Sequence, residues 1–222
     1  FDKKYSYEEA KEVILKVLEV FGDEYINKVK EALGNRWIDV YPTKNKRTGG
    51  YSGGSYDTYP YILLNYQDKY NDMSTLIHEM GHSMHSYYSR SYNDYQNSEY
   101  RIFVAEVAST VNELLLSHYL LEHSSDVEEK KYILNNLMEL YRATIYRQTM
   151  FAEFERDISS IIDNDGALTA DKLSNMYYDL NKFYFGGEVV VDDEIRYEWE
   201  RIPHFYYDFY VYKYATGLSA AT

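Results

Sequence analysis

The segment Thr75-Leu76-Ile77-His78-Glu79-Met80-Gly81-His82-Ser83-Met84-His85 contains the spacing H-E-x-x-H. In a helix, His78 and His82 lie one turn apart on the same face, so both rings can direct a nitrogen at a single metal ion. Glu79 adjoins the first histidine, and its carboxylate can reach a metal-bound water without binding the metal. These residue types are typical of hydrolytic zinc sites, in which the glutamate takes a proton from the water. The segment predicts a metal-binding helix over about residues 73–89.

A catalytic zinc site uses three protein ligands and keeps a fourth position for water, so a third ligand is needed. His85 is one candidate, but a triad that spans two turns of one helix strains a tetrahedral ion. Glu106 is the other, in the apolar segment 100–116, which predicts a second and buried helix. A ligand from a separate helix closes the geometry more easily, and both candidates stay open on the residues alone. Glu113 shares a helix face with Glu106, and one of these carboxylates is expected to have a cation, because a buried charge needs a partner.

Gly81 stands inside the metal-binding motif, although glycine is a poor helix former. It costs about 1 kcal/mol relative to alanine in a helix interior. A glycine at this position is expected if another element approaches the helix closely beside the metal.

The composition limits the classes of function. The chain has 222 residues, a net charge of −13 and no cysteine. This length can bury the core of one domain, and we expect a single domain over residues 1–222. The acidic charge disfavours nucleic-acid binding, because phosphate contacts need lysine and arginine, and the lack of cysteine excludes a thiolate zinc site. No apolar run approaches the roughly 18 residues that span a membrane. We therefore expect no membrane association. The lack of cysteine suits a cytoplasmic location, which the family resemblance described below also implies.

Hydrophobic periodicity predicts a mainly α fold with a small sheet. The glycine-rich segment 42–59 lies between two β-rich stretches and predicts a long flexible loop near the site. The predicted helices cover residues 6–33 with a break at Gly22, residues 126–162, and Thr169 to about Gly186, and the predicted strands cover residues 36–41 and 60–66.

The segment 199–214 is rich in aromatic residues and contains His204, Tyr207, Tyr210 and Tyr212. One interpretation is a packed aromatic helix. The other is a cluster of proton donors that faces the metal. Amide hydrolysis creates an oxyanion that needs hydrogen-bond donors besides the metal, and tyrosine hydroxyls or a histidine can provide them.

These residues together resemble the M3 family of zinc metallopeptidases, on its oligoendopeptidase F branch. The similarity extends over nearly the whole chain and does not depend on one motif. The matching stretches are Arg36–Val40, Pro60–Asn65, His78–His85, Phe103–Ser109 with Asn112 and Glu113, Arg147–Glu155, and Ile202–Gly217.

The resemblance implies a zincin-type helical catalytic domain, in which a small antiparallel sheet forms one wall of a deep cleft. It also implies one Zn²⁺ per chain. The implied ligands are His78, His82 and Glu106, and Glu79 is the implied base that activates the zinc-bound water. Glu113 resembles a carboxylate that orients a ligand histidine, and His85 then has a supporting or structural place beside the site.

The same resemblance assigns substrate and oxyanion contacts to His204 and to one of Tyr207, Tyr210 and Tyr212. The spacing of this segment varies between branches of the family, so all three tyrosines stay candidates. The implied activity is endopeptidase cleavage of internal bonds in short peptides.

Two alternatives and one departure accompany this interpretation. A zincin that acts on another acyl bond is the alternative among enzymes, and a zinc-binding interaction or structural domain is the alternative outside them. Family members carry an N-terminal helical region and a short tail beyond Thr222, so we expect this chain to be a catalytic fragment. An exposed cleft wall in such a fragment would favour self-association.

Overall fold

The computed structural model describes residues 3–222 and divides them into two compact units. The first unit holds the described residues up to Met138 together with Ala220–Thr222, and the second holds Glu139–Ser219. The expectation of a single domain stays a prediction. No helix of the described chain combines the length and the apolar composition needed to cross a membrane.

Two short helices open the first unit, as the periodicity predicts. Helix α1 (Tyr7–Leu18) begins at Ser6, whose hydroxyl accepts the Glu9 N–H while the Glu9 carboxylate accepts the Ser6 N–H. This reciprocal cap satisfies two backbone donors that the first helical turn leaves free. Gly22 then separates α1 from α2 (Asp23–Gly34) with a φ of 86°, which is a conformation that glycine adopts without strain.

The small sheet contains β1 (Ile38–Asp39), β2 (Tyr51–Gly53) and β3 (Tyr61–Leu63) in the order β1-β3-β2. The mainly helical fold with a small sheet is confirmed, but the sheet is mixed and not purely antiparallel as expected. Strand β1 pairs with β3 in parallel, and β2 pairs with β3 antiparallel. The long segment between β1 and β3 gives the chain room for the crossover that a parallel pair requires. That segment also contains β2, so the prediction of a loop over 42–59 was wrong at residues 51–53.

The metal-binding motif lies on α3 (Tyr70–Tyr92), which is longer at both ends than predicted. The Asp72 carboxylate accepts the Lys69 and Gln67 backbone N–H groups, each at 2.9 Å, and so caps the start of the helix. One face of α3 is packed into the core of the first unit through Met73, Leu76, Ile77, Met80 and Met84, all at most 1% exposed. The core therefore fixes the rotation of α3 about its axis.

Helix α4 (Val107–His123) follows α3, but it begins later than the sequence predicts. A 3₁₀ turn occupies Ile102–Val104, and Glu106 is the N-cap residue of α4. The apolar side chains of Ile102 and Phe103 are exposed, so the predicted buried face does not extend over the first residues of the segment.

Helices α3 and α4 pack against each other in an antiparallel orientation. The Tyr70 hydroxyl lies 3.2 Å from the Ser117 hydroxyl near the start of α3, and the Asn112 amide donates to the Ile77 carbonyl at 3.0 Å. Near the middle of α3, a Cβ built at Gly81 would lie 2.7 Å from the Ala108 carbonyl oxygen. It would lie equally close, 2.7 Å, to the Ser109 Cα. This is the close approach that the glycine leads us to expect.

The remaining helices are α5 (Val127–Tyr141), α6 (Arg147–Asp163), α7 (Ala170–Phe185) and α8 (Tyr212–Ala221). A π-helical segment, Arg142–Tyr146, stands between α5 and α6 in the sequence. The core of the second unit contains Met150, Phe151, Phe154, Tyr177, Ile202 and Val211. The aromatic segment, for which a packed helix was one of two interpretations, forms 3₁₀ turns over Asp193–Arg201 and Pro203–Tyr206 before α8 begins.

Replacing Gly81 by alanine should destabilise the first unit and weaken metal binding. The added methyl group meets backbone atoms of α4, which cannot rotate away, and such overpacking costs about 1–3 kcal/mol. Urea unfolding and zinc titration measure the two effects. Gly34→Ala is the matched control, because its Cβ meets no atom within 4 Å at the end of α2. Equal stability of the two variants would contradict the importance of the α3–α4 contact.

Candidate metal centre

Three donor atoms converge where α3 and α4 pack together. The His78 and His82 Nε2 atoms are 3.2 Å apart. Glu106 Oε2 lies 3.5 Å from the first of these nitrogens and 3.3 Å from the second. These residues form a candidate metal-binding group.

The geometry and the chemistry of this donor group fit a zinc ion. A tetrahedral zinc with ligand distances of about 2.0–2.1 Å has ligand-to-ligand edges of about 3.3 Å. The three observed separations, 3.2, 3.3 and 3.5 Å, surround this value. Two imidazoles and one carboxylate are also a common protein ligand set of hydrolytic zinc sites, in which a further position stays open.

Glu106 is brought to the site by the start of α4. Its side chain is almost fully buried, with 3% of the residue exposed. The Ser109 hydroxyl donates to Glu106 Oε2 at 3.0 Å and to the Glu106 carbonyl at the same distance. The N-terminal end of a helix also favours negative charge. The carboxylate is therefore held in one orientation, towards the two histidines.

Glu113 lies two helical turns after Glu106 and contacts the side of the His78 ring that faces away from the donor group. Its Oε1 is 3.3 Å from His78 Nδ1, the ring nitrogen that is not directed at the donor group. This nitrogen has no hydrogen-bond partner among residues 3–222, so the contact is an electrostatic one. A carboxylate beside a ligand histidine favours one orientation of the ring and increases its basicity. Burial by itself would lower the pKa of His78, but Glu113, together with Glu79 and Glu106, outweighs burial and raises this pKa to about 9.

Glu79 is buried on α3 beside the donor group and is not part of it. Burial, with a smaller contribution from Glu106, raises the pKa of its carboxyl group, while the neighbouring histidines act in the opposite direction. A carboxylate with a raised pKa accepts a proton more readily than an exposed one, which suits a general base.

His85 lies outside the donor group that the structure brings together. Its ring stacks on Tyr100 with a centroid distance of 3.7 Å and an angle of 7°. Its buried Nδ1 has no hydrogen-bond partner among residues 3–222. Of the two candidates for the third ligand, the geometry therefore favours Glu106, and His85 packs beside the site.

The predicted proton donors lie in the second unit, where they form an aromatic cluster. The His204 ring is 5.8 Å from the Tyr207 ring and 5.6 Å from the Tyr210 ring, and these two tyrosine rings are 5.7 Å apart. Tyr212 is the first residue of α8. The catalytic roles of these four residues stay predictions.

Sequence reasoning did not identify two residues that the structure places in these clusters. Ser109 holds Glu106, and its position three residues later on a predicted helix was a usable signal. Lys213 donates to the Tyr210 hydroxyl, and nothing in the sequence separates this lysine from an exposed one.

The donor group consists of two histidines one helical turn apart and a glutamate at the start of a second helix. This ligand set is typical of metal-dependent hydrolases. The chain belongs to peptidase family M3, whose family model matches residues 3–222.

Within this family the chain is similar to "Oligopeptidase PepF" of Bacillus subtilis (strain 168), with 55% identity over 98% of this chain and 32% of the relative. It is 47% identical to "Oligoendopeptidase F, chromosomal" of Lactococcus lactis subsp. cremoris, over 100% of this chain and 37% of the relative. A solved structure from Chlamydophila abortus is similar with a TM-score of 0.81 and 45% identity, over 99% of this chain and 37% of that chain. The chain thus spans about a third of the length of the relatives it matches.

Replacing Glu113 by glutamine should weaken zinc binding about 10- to 100-fold, the usual effect of removing a carboxylate that orients a ligand histidine. Competition with a chromophoric chelator measures this affinity. Glu122→Gln is the matched control, because Glu122 is exposed on the same helix. Identical zinc affinities for the two variants would show that Glu113 does not support His78.

Proposed function

We propose that the chain is the catalytic part of a zinc-dependent endopeptidase that cleaves internal bonds of short peptides. The main support is the convergence of His78, His82 and Glu106 at zinc-like separations, with Glu79 buried beside them. Membership of peptidase family M3 supports the same reaction class. The names of the relatives, an oligopeptidase and an oligoendopeptidase, support short peptides as substrates.

In this proposal, His78, His82 and Glu106 hold the ion, and Glu113 and Ser109 keep the first and last of these ligands oriented. When bound, zinc supplies a Lewis acid that polarises the substrate carbonyl group and makes water more acidic. Glu79 accepts a proton from the attacking water and later gives it to the leaving amine.

His204 and one of Tyr207, Tyr210 and Tyr212 serve as hydrogen-bond donors to the substrate in the same proposal. Negative charge develops on the carbonyl oxygen as water attacks, and a donor that is already oriented stabilises this charge without further rearrangement. The clustering of His204 with two of the three tyrosines supports a shared role. We also propose a cytoplasmic location, one zinc ion per chain, and no nucleic-acid or membrane partner.

Replacing Glu79 by glutamine should reduce kcat for a quenched-fluorescent peptide by at least about 100-fold, the usual minimum contribution of a general base. Zinc content should stay at one ion per chain, because Glu79 is not in the donor group. Glu122→Gln again serves as the control and should keep full activity. Persistent cleavage by the Glu79→Gln variant would refute the mechanism. If the wild-type chain cleaves esters but does not cleave peptides, the result would favour another acyl substrate.

Removing the metal with a chelator should abolish cleavage, and adding zinc should restore it. Zinc should also raise the Tm of the metal-free chain, because a ligand present at about 100 times its Kd stabilises the native state by about 2.7 kcal/mol. The His82→Ala variant lacks one donor and should show a much smaller shift. Zinc binding without cleavage would favour the interaction-domain alternative for this chain.

A further inference from the structure

One face of α3 runs alongside strand β2 and the glycine before it. Thr75, Glu79 and Ser83 are spaced four residues apart, so they lie along the same face of the helix. A Cβ built at Gly50 would lie 2.7 Å from the Thr75 Cγ2 methyl group. The Ser52 and Ser83 hydroxyl oxygens are 2.8 Å apart. The candidate base, Glu79, thus lies on α3 between two close contacts with the same short segment.

The sheet leaves the backbone N–H of Ser52 without a partner in a strand. Ser52 is opposite Ile62 in the antiparallel pair of β2 and β3. The Ile62 N–H donates to the Trp37 carbonyl on the β1 side of the sheet, at 2.8 Å. Opposed residues of an antiparallel pair either exchange two hydrogen bonds or make none, so the Ser52 N–H is directed away from β3. The order β1-β3-β2 makes β2 an edge strand, and no strand of residues 3–222 lies on that side of it.

The Ser52 N–H acts instead on the Glu79 carboxylate, which is buried on α3. Burial is the largest influence on the pKa of Glu79 and raises it, and the Ser52 backbone donor is among the groups that act in the opposite direction. A buried carboxylate is costly unless a donor faces it, so this N–H favours one position of the side chain. A general base needs such a fixed position, because the proton that it accepts must lie within hydrogen-bond reach.

Ser83 fixes Ser52 through hydroxyl groups that donate in one direction. Ser83 is completely buried, and its hydroxyl oxygen lies 3.2 Å from the Pro60 carbonyl oxygen, which can only accept. The Ser83 O–H therefore donates to this carbonyl, and the Ser83 oxygen accepts the Ser52 O–H. Pro60 immediately precedes β3, so these hydroxyl groups join α3 to both strands.

Helix formation does not explain why a serine occupies position 83. Alanine is the better helix former and brings no buried hydroxyl group. Hydroxyl groups inside a helix often donate to the carbonyl four residues earlier, as Thr75 does to Asn71 at 2.8 Å. The Ser83 hydroxyl has its partners outside α3 instead. Its contacts therefore concern the placement of β2 on the helix.

We propose that Ser83 is a positioning residue that acts through Ser52, and that the two serines hold the backbone of β2 against the Glu79 carboxylate. The proposal rests on the proposed peptidase function, because that function makes Glu79 the general base. It gives β2 a role in orienting the base, and every residue that it uses lies in the first unit.

The test is a double-mutant cycle on the zinc-loaded chain with Ser83→Ala, Ser52→Val and the double variant. We expect each single change to lower kcat for a quenched-fluorescent peptide about 10- to 100-fold, with KM nearly unchanged, because a displaced base affects the chemical step. The double variant should lose no more than the larger single loss, since the two hydroxyl groups act together. Ser52→Thr keeps the hydroxyl group in a side chain shaped like valine and should retain more kcat than Ser52→Val.

Two further measurements separate this role from support of the metal or of the fold. Zinc affinity, measured by competition with a chromophoric chelator, should stay at the wild-type value in every serine variant, because neither serine belongs to the donor group. Amide hydrogen exchange at Ser52 reports the contact without turnover, and it should be faster in Ser83→Ala and in Glu79→Ala than in the wild-type chain. Ser91→Ala is the matched control and should keep wild-type kcat, since Ser91 is exposed on α3 and its hydroxyl donates to the Tyr87 carbonyl of the same helix.

Wild-type kcat in Ser83→Ala would overturn the proposal, as would a loss of zinc affinity that parallels the loss of kcat, or losses that multiply in the double variant. If Glu79→Gln is inactive in the same assay, such a result refutes the role of the serines and leaves the proposed function intact. If the zinc-loaded wild-type chain does not cleave peptides, the proposed function fails, and unchanged exchange at Ser52 in Ser83→Ala would refute the contact separately. Thermal unfolding of every variant identifies loss of folding, and if Ser83→Ala does not fold, the comparison of Ser52→Thr with Ser52→Val decides.

Discussion

The candidate metal centre depends on the absence of a side chain at Gly81. The backbone of α4 at Ala108 and Ser109 fills the space that a Cβ would occupy. This contact lies one residue before His82 in α3 and two residues after Glu106 in α4. Because the two helices touch here, the glutamate of one reaches the histidines of the other without a long side-chain extension. A wider separation of the helices would leave two histidines and a distant carboxylate.

Charge explains why two glutamates surround the histidines of the candidate metal centre. Two glutamates of α4 meet the histidines of α3, Glu106 at the donor nitrogens and Glu113 at the far nitrogen of His78. These carboxylates, Glu106 buried and Glu113 partly buried, raise the pKa of His78. A divalent cation neutralises more of this negative charge than a proton does, and it binds the deprotonated form of its ligands. The cluster is thus electrostatically prepared for a cation before one arrives.

The sequence predicted the parts of this structure that depend on local spacing. The histidine pair, the break at Gly22 and the need for a close approach at Gly81 all follow from helix geometry and glycine chemistry. Strand β2 was missed because Tyr51–Gly53 is short and rich in turn residues, and only its pairing with β3 makes it a strand. The Lys213 contact with Tyr210 was missed for a similar reason, since burial of a lysine depends on tertiary packing.

The antiparallel pairing of α3 and α4 also bears on how the chain reaches its native state. All three donors, with Glu113 and Ser109, lie on two helices that follow one another in the sequence. Contacts between neighbours in sequence cost little loop-closure entropy and form early in folding. The ligand set can therefore assemble within a single helical hairpin, and an ion bound at this stage would act as a cross-link during folding.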